Sequence, residues 1–362
     1  MRMSAGRWAG RRPTAATVAI AGVVVALHVV GFALLLGCVV PQHLALGSGE
    51  VFGIGLGLTA YALGLRHAFD ADHIGAIDNV TRKLRAEGRD PAGVGLFFSL
   101  GHCTVVFGLG VLVVLGVRGL GGAVADDRST LHAITGLVGP VVSGGFLVLI
   151  GLLNLAVLLS LTRLFLRMRG GPVPGDELDR ELQRRSGLTG LCSRVGRLVR
   201  RPRQMYALGL LFGLGFDTAT EVALLVLAGA GAAGDLPFYA ILCLPILFAA
   251  GMTLLDTLDS AFMNAAYGWA FTEPVRRVFY NLVITALSVA VALLIGGLEL
   301  LGVLARELSL SGPPWDLVSS IDLGLVGYAV VALFVLVWGA ALVAWRYGRI
   351  EERWATVPAT RT

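Results

Sequence analysis

Eight long apolar runs divide this 362-residue chain, and nothing else in it limits the fold so sharply. A membrane span takes about 20 mainly apolar residues, and the runs lie at roughly 18–40, 52–78, 93–117, 134–166, 205–230, 237–260, 278–301 and 322–346. The fourth is longer than a bilayer requires, so it is expected to tilt or to run past the membrane. Backbone groups in lipid must bond within their own segment, which makes such runs helices. A large soluble core does not explain them: 56% of the residues are hydrophobic and 15% charged, against about 45–50% and about 25% in soluble domains. The 49 glycines suit close helix packing in lipid. The expected fold class is therefore an all-α polytopic membrane protein with eight transmembrane helices.

The basic residues orient it. Of the 29 lysines and arginines, only Arg118, Arg128 and Arg306 fall in the alternate set of loops, and Arg66 falls within a span. The rest collect at the N-terminus, around Arg82, Lys83, Arg85 and Arg89, between Arg163 and Arg203, at Arg276 and Arg277, and beyond Arg346. Positive charge stays on the cytoplasmic side, so the chain is expected N-in and C-in. The expected organisation is a cytoplasmic N-terminus at 1–17, helices 1–4 over 18–166, a basic cytoplasmic loop at 167–204, helices 5–8 over 205–346 and a cytoplasmic tail at 347–362. The location implied is the cytoplasmic membrane of a bacterial-type cell. The net charge of +5 has this topological cause, which removes the reason to invoke nucleic acid. Arg11-Arg12 and the Leu35–Cys38 stretch resemble processing signals, but the first run is long enough to span and is expected to remain. Cys38, Cys103, Cys192 and Cys243 include no CxxC pair, so neither a redox motif nor a zinc knuckle is expected.

Ionisable residues inside spans are costly and mark function by default. Here they gather in four runs. The second contains Arg66-His67-Ala68-Phe69-Asp70-Ala71-Asp72-His73, the third Ser99 to Thr104 with His102, the fifth Asp217 and Glu221, and the sixth Asp256 and Asp259. On a continuous helix His67, Asp70 and His73 project over one face, whereas Asp72 points elsewhere unless the helix is unwound. Asp217 with Glu221, Asp256 with Asp259, and Ser99 with His102 share faces in the same way. Four polar faces that lipid rejects are expected to meet in one interior cavity. The candidate metal set is His67, Asp70, Asp72, His73, His102, Asp217, Glu221, Asp256 and Asp259. Mixed imidazole and carboxylate donors suit nickel, cobalt, zinc or copper, whereas magnesium and calcium prefer oxygen alone. His28 reads as an ordinary interior histidine. Asn154, Asn281 and Thr285 read as interhelical hydrogen-bond partners.

These residues also carry a resemblance. Arg66 to Ile74, Phe98 to His102, Leu214 to Glu221 and Gly251 to Asp259 resemble, in order and on the expected spans, four signatures of the nickel/cobalt transporter family of permeases. The resemblance covers roughly residues 50–280. It implies eight helices and uptake of nickel, cobalt or both, with His67, Asp72 and His73 central to recognition. Cys103 departs from the serine of the family pattern, which bears on metal preference. Phe69–Asp72 parallels Phe216–Ala219, and Phe98–His102 parallels Phe248–Met252, so helices 2–3 and 5–6 are expected to form an inverted repeat.

The expected function is a secondary permease importing the ion, which is substrate and not a resident cofactor. No GxxxxGK[ST] motif is present and no ATPase subunit is evident from the sequence. Efflux is the rival reading, but related exporters tend to carry a histidine-rich cytoplasmic loop, and 167–204 contains no histidine. An intramembrane metalloenzyme is disfavoured because the HExxH pairing is missing. A metallochaperone-like accessory would show no uptake of its own.

Overall fold

The computed structural model describes residues 14–45, 51–115, 130–169, 199–214, 236–270, 274–321 and 323–348. Apart from one isolated bridge between Ala45 and Val51, regular structure among them is helical. Helix α1 (Ala15–Ala33) starts at Thr14, whose hydroxyl accepts from the Thr17 amide at 3.2 Å. It continues through a π-helical stretch, Leu34–Val39, and a 3₁₀ turn at Pro41. Then come α2 (Ile54–His67), α3 (Ala71–Ala86), α4 (Val94–Val114) and α5 (Thr130–Arg169). The second half holds α6 (Met205–Gly213), α7 (Phe238–Ala270), α8 (Pro274–Glu307), α9 (Pro313–Ser320) and α10 (Leu323–Gly348). Five described helical segments are long and apolar enough to cross a membrane: Ala15–Gln42, Val94–Leu112, Leu137–Ala156, Phe238–Ala266 and Thr285–Glu307. Val326–Val337 of α10 is a shorter apolar stretch, and most of the expected run 205–230 lies outside the described residues.

The expected continuous helix over 52–78 needs correction, because the chain breaks between His67 and Ala71. Phe69 N–H bonds Arg66 C=O and Asp70 N–H bonds His67 C=O, a tight turn that ends α2. Asp70 is extended (φ −63°, ψ 139°) and starts α3. Charge favours this break. Arg66 and His67 occupy the last turn of α2, and Asp72 the first turn of α3, the signs that suit the two helix dipoles.

Packing fixes the directions of the central helices. Gly95, Ser99, Cys103 and Gly110 of α4 meet Asp256, Asp256, Met252 and Pro245 of α7 in turn, so these two run antiparallel. A turn with positive-φ Gly88 and Gly93 reverses the chain from α3 into α4, so α3 runs with α7. Lys83 Nζ and Arg89 Nη1 donate to the Val199 and Arg200 carbonyls at 2.9 and 3.2 Å, which ties the start of α6 to the start of α4. Helix α6 thus runs with α4.

Two crossings are built alike. Gly64 of α2 lies against the Phe248 carbonyl of α7, and Gly251 of α7 against the Tyr61 carbonyl of α2. Gly209 of α6 lies against the Phe98 carbonyl of α4, and Gly101 of α4 against the Tyr206 carbonyl of α6. Tyr-Ala-Leu-Gly-Leu occurs both at 61–65 and at 206–210, and Phe98-x-x-Gly101 matches Phe248-x-x-Gly251. The same residues therefore make the same contacts twice. A Cβ at any of these glycines would overlap a neighbouring backbone, which is why each is glycine.

Candidate metal centre

Helix α2 ends on His67, α3 opens with Asp72 and His73, and α4 carries Ser99 and His102 past them; α7 closes the space with Asp256. His67, His73 and His102 are all buried, and one ligating atom from each lies within 4.8 Å of the other two. Their ring centroids stand 4.6 Å (67–73), 4.7 Å (67–102) and 5.0 Å (73–102) apart. Metal–imidazole bonds are about 2.0–2.1 Å, so nitrogens sharing an ion sit about 2.9–3.4 Å apart.

Carboxylates stand behind the rings. His67 Nδ1 is 2.9 Å from Asp70 Oδ2 and donates to it, which turns Nε2, 3.0 Å from His102 Nε2, into the chamber as a lone-pair donor. His73 Nδ1 faces Asp256 Oδ2 at 3.7 Å, and Ser99 Oγ donates to that same oxygen at 2.7 Å. A carboxylate on the far nitrogen of a metal-binding histidine fixes its tautomer and raises its basicity. Asp70 has that geometry, whereas Asp256 stands 3.7 Å from His73 Nδ1, beyond hydrogen-bond distance. Asp256 Oδ1 is buried and takes no hydrogen bond among the described residues. Phe98 and Phe248 pack against the rings and close the chamber to solvent.

The other expected site residues are placed differently. Asp72 accepts the His73 backbone N–H at 2.9 Å and stands at the N-terminus of α3. Asp259 lines a cavity of about 240 Å³ with Ala68, Phe69, Leu258, Phe262 and Phe334, next to the helix break but outside the histidine group. Asp217 and Glu221 lie outside the described residues. His28 binds Tyr61 Oη at 3.2 Å and the Val24 carbonyl at 2.8 Å, away from the trio. Cys103 Sγ contacts Met252 Sδ at 3.4 Å on the neighbouring face.

Inward along α3 is a polar group the sequence did not single out. Asp78, Asn79, Thr81 and Arg82 are all buried. Ser288 Oγ donates to Asp78 Oδ2 at 2.7 Å, Asn154 Nδ2 to Asn79 Oδ1 at 2.7 Å, and Arg82 Nη1 to Thr285 Oγ1 at 3.3 Å. Arg82, expected in an exposed inner loop, is a buried helix residue. The signal was the i, i+3, i+4 spacing of Asp78, Thr81 and Arg82, which continues the polar face past the edge of the apolar run.

A multi-pass helical membrane protein with a sealed imidazole and carboxylate chamber belongs among the proteins that handle transition-metal cations. Residues 53–344 match the NicO family, described as high-affinity nickel-transport protein, and the chain belongs to that family. It is a family of transport proteins and not of enzymes. The chain is 57% identical over 340 residues to the nickel transporter NicT of Mycobacterium tuberculosis, covering 94% of this chain and 91% of the relative. It is 45% identical to the nickel transporter NixA of Staphylococcus aureus (92% and 95% covered) and 41% identical to the cobalt transport protein NhlF of Rhodococcus rhodochrous (89% and 90%). No solved structure matches it.

Proposed function

We propose that this chain is a single-component permease of the cytoplasmic membrane that imports nickel, cobalt or both through the His67–His73–His102 chamber. The observation that carries the reading is three sealed imidazoles converging, one from each side of a helix break and one from α4. An entering hydrated ion exchanges water for the Nε2 lone pairs of His67 and His73 and a nitrogen of His102. Asp70 holds the His67 ring in the binding tautomer, and Asp70 and Asp256 together balance the added charge. Asp72, Asp217, Glu221 and Asp259 then serve as approach and exit carboxylates.

The fold reading is eight spans, N-in and C-in, with helices 2–3 and 5–6 as an inverted repeat. It is supported by the paired glycine crossings: α4 and α7 are antiparallel, α6 runs with α4, and α2 runs with α7, from Tyr61 at Gly251 to Ala68 beside Leu255, so the two Tyr-Ala-Leu-Gly-Leu segments face opposite ways. In inverted-repeat transporters the substrate site lies at the repeat interface. The electrical gradient supplies the drive, about 2.3 kcal/mol per charge per 100 mV, doubled for a divalent ion.

Uptake of radioactive nickel by intact cells tests this. His67→Ala, His73→Ala and His102→Ala should each reduce uptake to background at unchanged membrane abundance. Uptake near wild type in any two of them would refute the chamber as the ion's path.

A further inference from the structure

Below the histidines, α3 and α7 descend together, since both run opposite to α4. Asp256 at the chamber is followed one turn on by Asp259, and His73 is followed five residues on by Asp78. Helical rise is 1.5 Å per residue, which puts Asp259 about 4.5 Å and Asp78 about 7.5 Å further along the same direction. Asp256 stands 3.7 Å from His73 Nδ1, which sets the two helices side by side at the chamber. Five side-chain oxygens on these two helices, Asp256 Oδ1, Thr257 Oγ1, Asp259 Oδ2, Asn264 Oδ1 and Thr81 Oγ1, are sealed from solvent with no hydrogen-bond partner among the described residues. A helical threonine hydroxyl usually satisfies itself on the carbonyl one turn back, and Thr104, Thr162 and Thr253 do so here. Thr81 does not, although it is fully buried, and nor does Thr257 on α7. Beyond Asp78 stand Arg82, on the same face, and the basic end of α3 with Lys83 and Arg85.

We infer that Asp78 is a relay carboxylate: the ion leaving the three histidines passes by way of Asp259 to Asp78, with Thr81 as a neutral oxygen donor, before release at the end of α3. This rests on the chamber being the ion's primary site. The chemistry fits a handover. Imidazoles hold a nickel-like ion firmly, whereas oxygen donors hold it more weakly and keep part of its water, so affinity falls along the path. Buried Arg82 adds like charge at the far end and disfavours a second long-lived site. Asp78 also accepts a hydroxyl from Ser288 on α8, so a purely structural role must be separable from a transport role.

The experiment uses the full-length protein, purified for equilibrium binding of radioactive nickel and reconstituted in liposomes for nickel flux. Asp78→Asn should bind nickel within about twofold of wild type but lose at least about tenfold in maximal flux at unchanged KM, a loss confined to steps after binding. Asp78→Glu should recover part of the flux. Ser288→Ala, which removes the hydrogen bond and leaves the carboxylate, should transport near the wild-type rate. Normal flux in Asp78→Asn overturns the relay. So does loss of equilibrium binding in Asp78→Asn, or a defect in Ser288→Ala as deep as in Asp78→Asn, which would make Asp78 a brace. His73→Ala run alongside should lose binding altogether. Retained binding there would remove the chamber itself, a failure distinct from any result at Asp78.

Discussion

A histidine that binds a metal through one nitrogen needs something to do with the other, and here the answers differ. His67 gives its Nδ1 proton to Asp70 at 2.9 Å, a bond nearly sealed from solvent. His73 faces Asp256 only loosely, at 3.7 Å, while Ser99 takes the same oxygen at 2.7 Å. Losing such an orienting carboxylate costs about 10–100-fold in metal affinity. Asp70→Asn should therefore weaken nickel binding by that range in equilibrium binding to purified protein, whereas Asp256→Asn, at 3.7 Å from His73, should weaken it less while altering the Ser99 contact. His28→Ala should bind nickel as wild type does, because His28 is engaged with Tyr61 and its own helix. Wild-type affinity in both asparagine variants would remove the orienting role. The gathering of His67, His73, His102, Asp70 and Asp256 was legible in the sequence, since a lipid-rejected ionisable group announces itself by its cost. The division between ring ligands and carboxylates behind them was not, because it depends on ring orientation.

At the level of helices, the break at 68–70 and the glycine crossings set the chamber's shape. Spacing alone suggested one straight face through His67, Asp70 and His73, and the residue types are not those that end helices by propensity. The break comes from tertiary demands: the Phe69 carbonyl is pressed against Gly327 of α10, and Asp70 turns back onto His67. Asp78 and Arg82 escaped notice for a related reason. The apolar run was ended at 78, yet α3 continues to Ala86 with its polar face turned inward. At Gly64 and Gly209 an added methyl would meet the backbone of the opposite helix, which cannot yield as a side chain can. Gly64→Ala and Gly209→Ala should each destabilise the protein by about 1–3 kcal/mol through overpacking. Gly22→Ala, with open space around it, should stay within about 0.5 kcal/mol of wild type. Thermal unfolding in detergent reads the difference, and equal midpoints for all three would show that the crossings tolerate a methyl.

For the whole molecule, orientation decides whether the path from the histidines to Asp78 leads inward or outward. Helix α8 runs against α3, because Asp78 meets Ser288 and, one turn on, Arg82 meets Thr285. Glu87, just past α3, and Ser309, just past α8, therefore lie at opposite ends of the bundle. The basic residues Lys83, Arg85 and Arg89 crowd the first end, whereas the second carries Arg306 beside Glu307. In the proposed N-in, C-in arrangement, Glu87 lies on the cytoplasmic side and Ser309 on the exterior. A divalent ion driven by an inside-negative potential then meets the imidazoles first and the α3 carboxylates second, an order of falling affinity that suits import. With Cys38 and Cys192 replaced, a membrane-impermeant maleimide should label Ser309→Cys in intact cells and Glu87→Cys only after permeabilisation. The reverse labelling pattern would invert the path, make Asp78 an entry residue and turn the affinity gradient against import. Labelling of both positions in intact cells would mean that α3 and α8 end on the same side, which the antiparallel packing of α8 on α3 forbids.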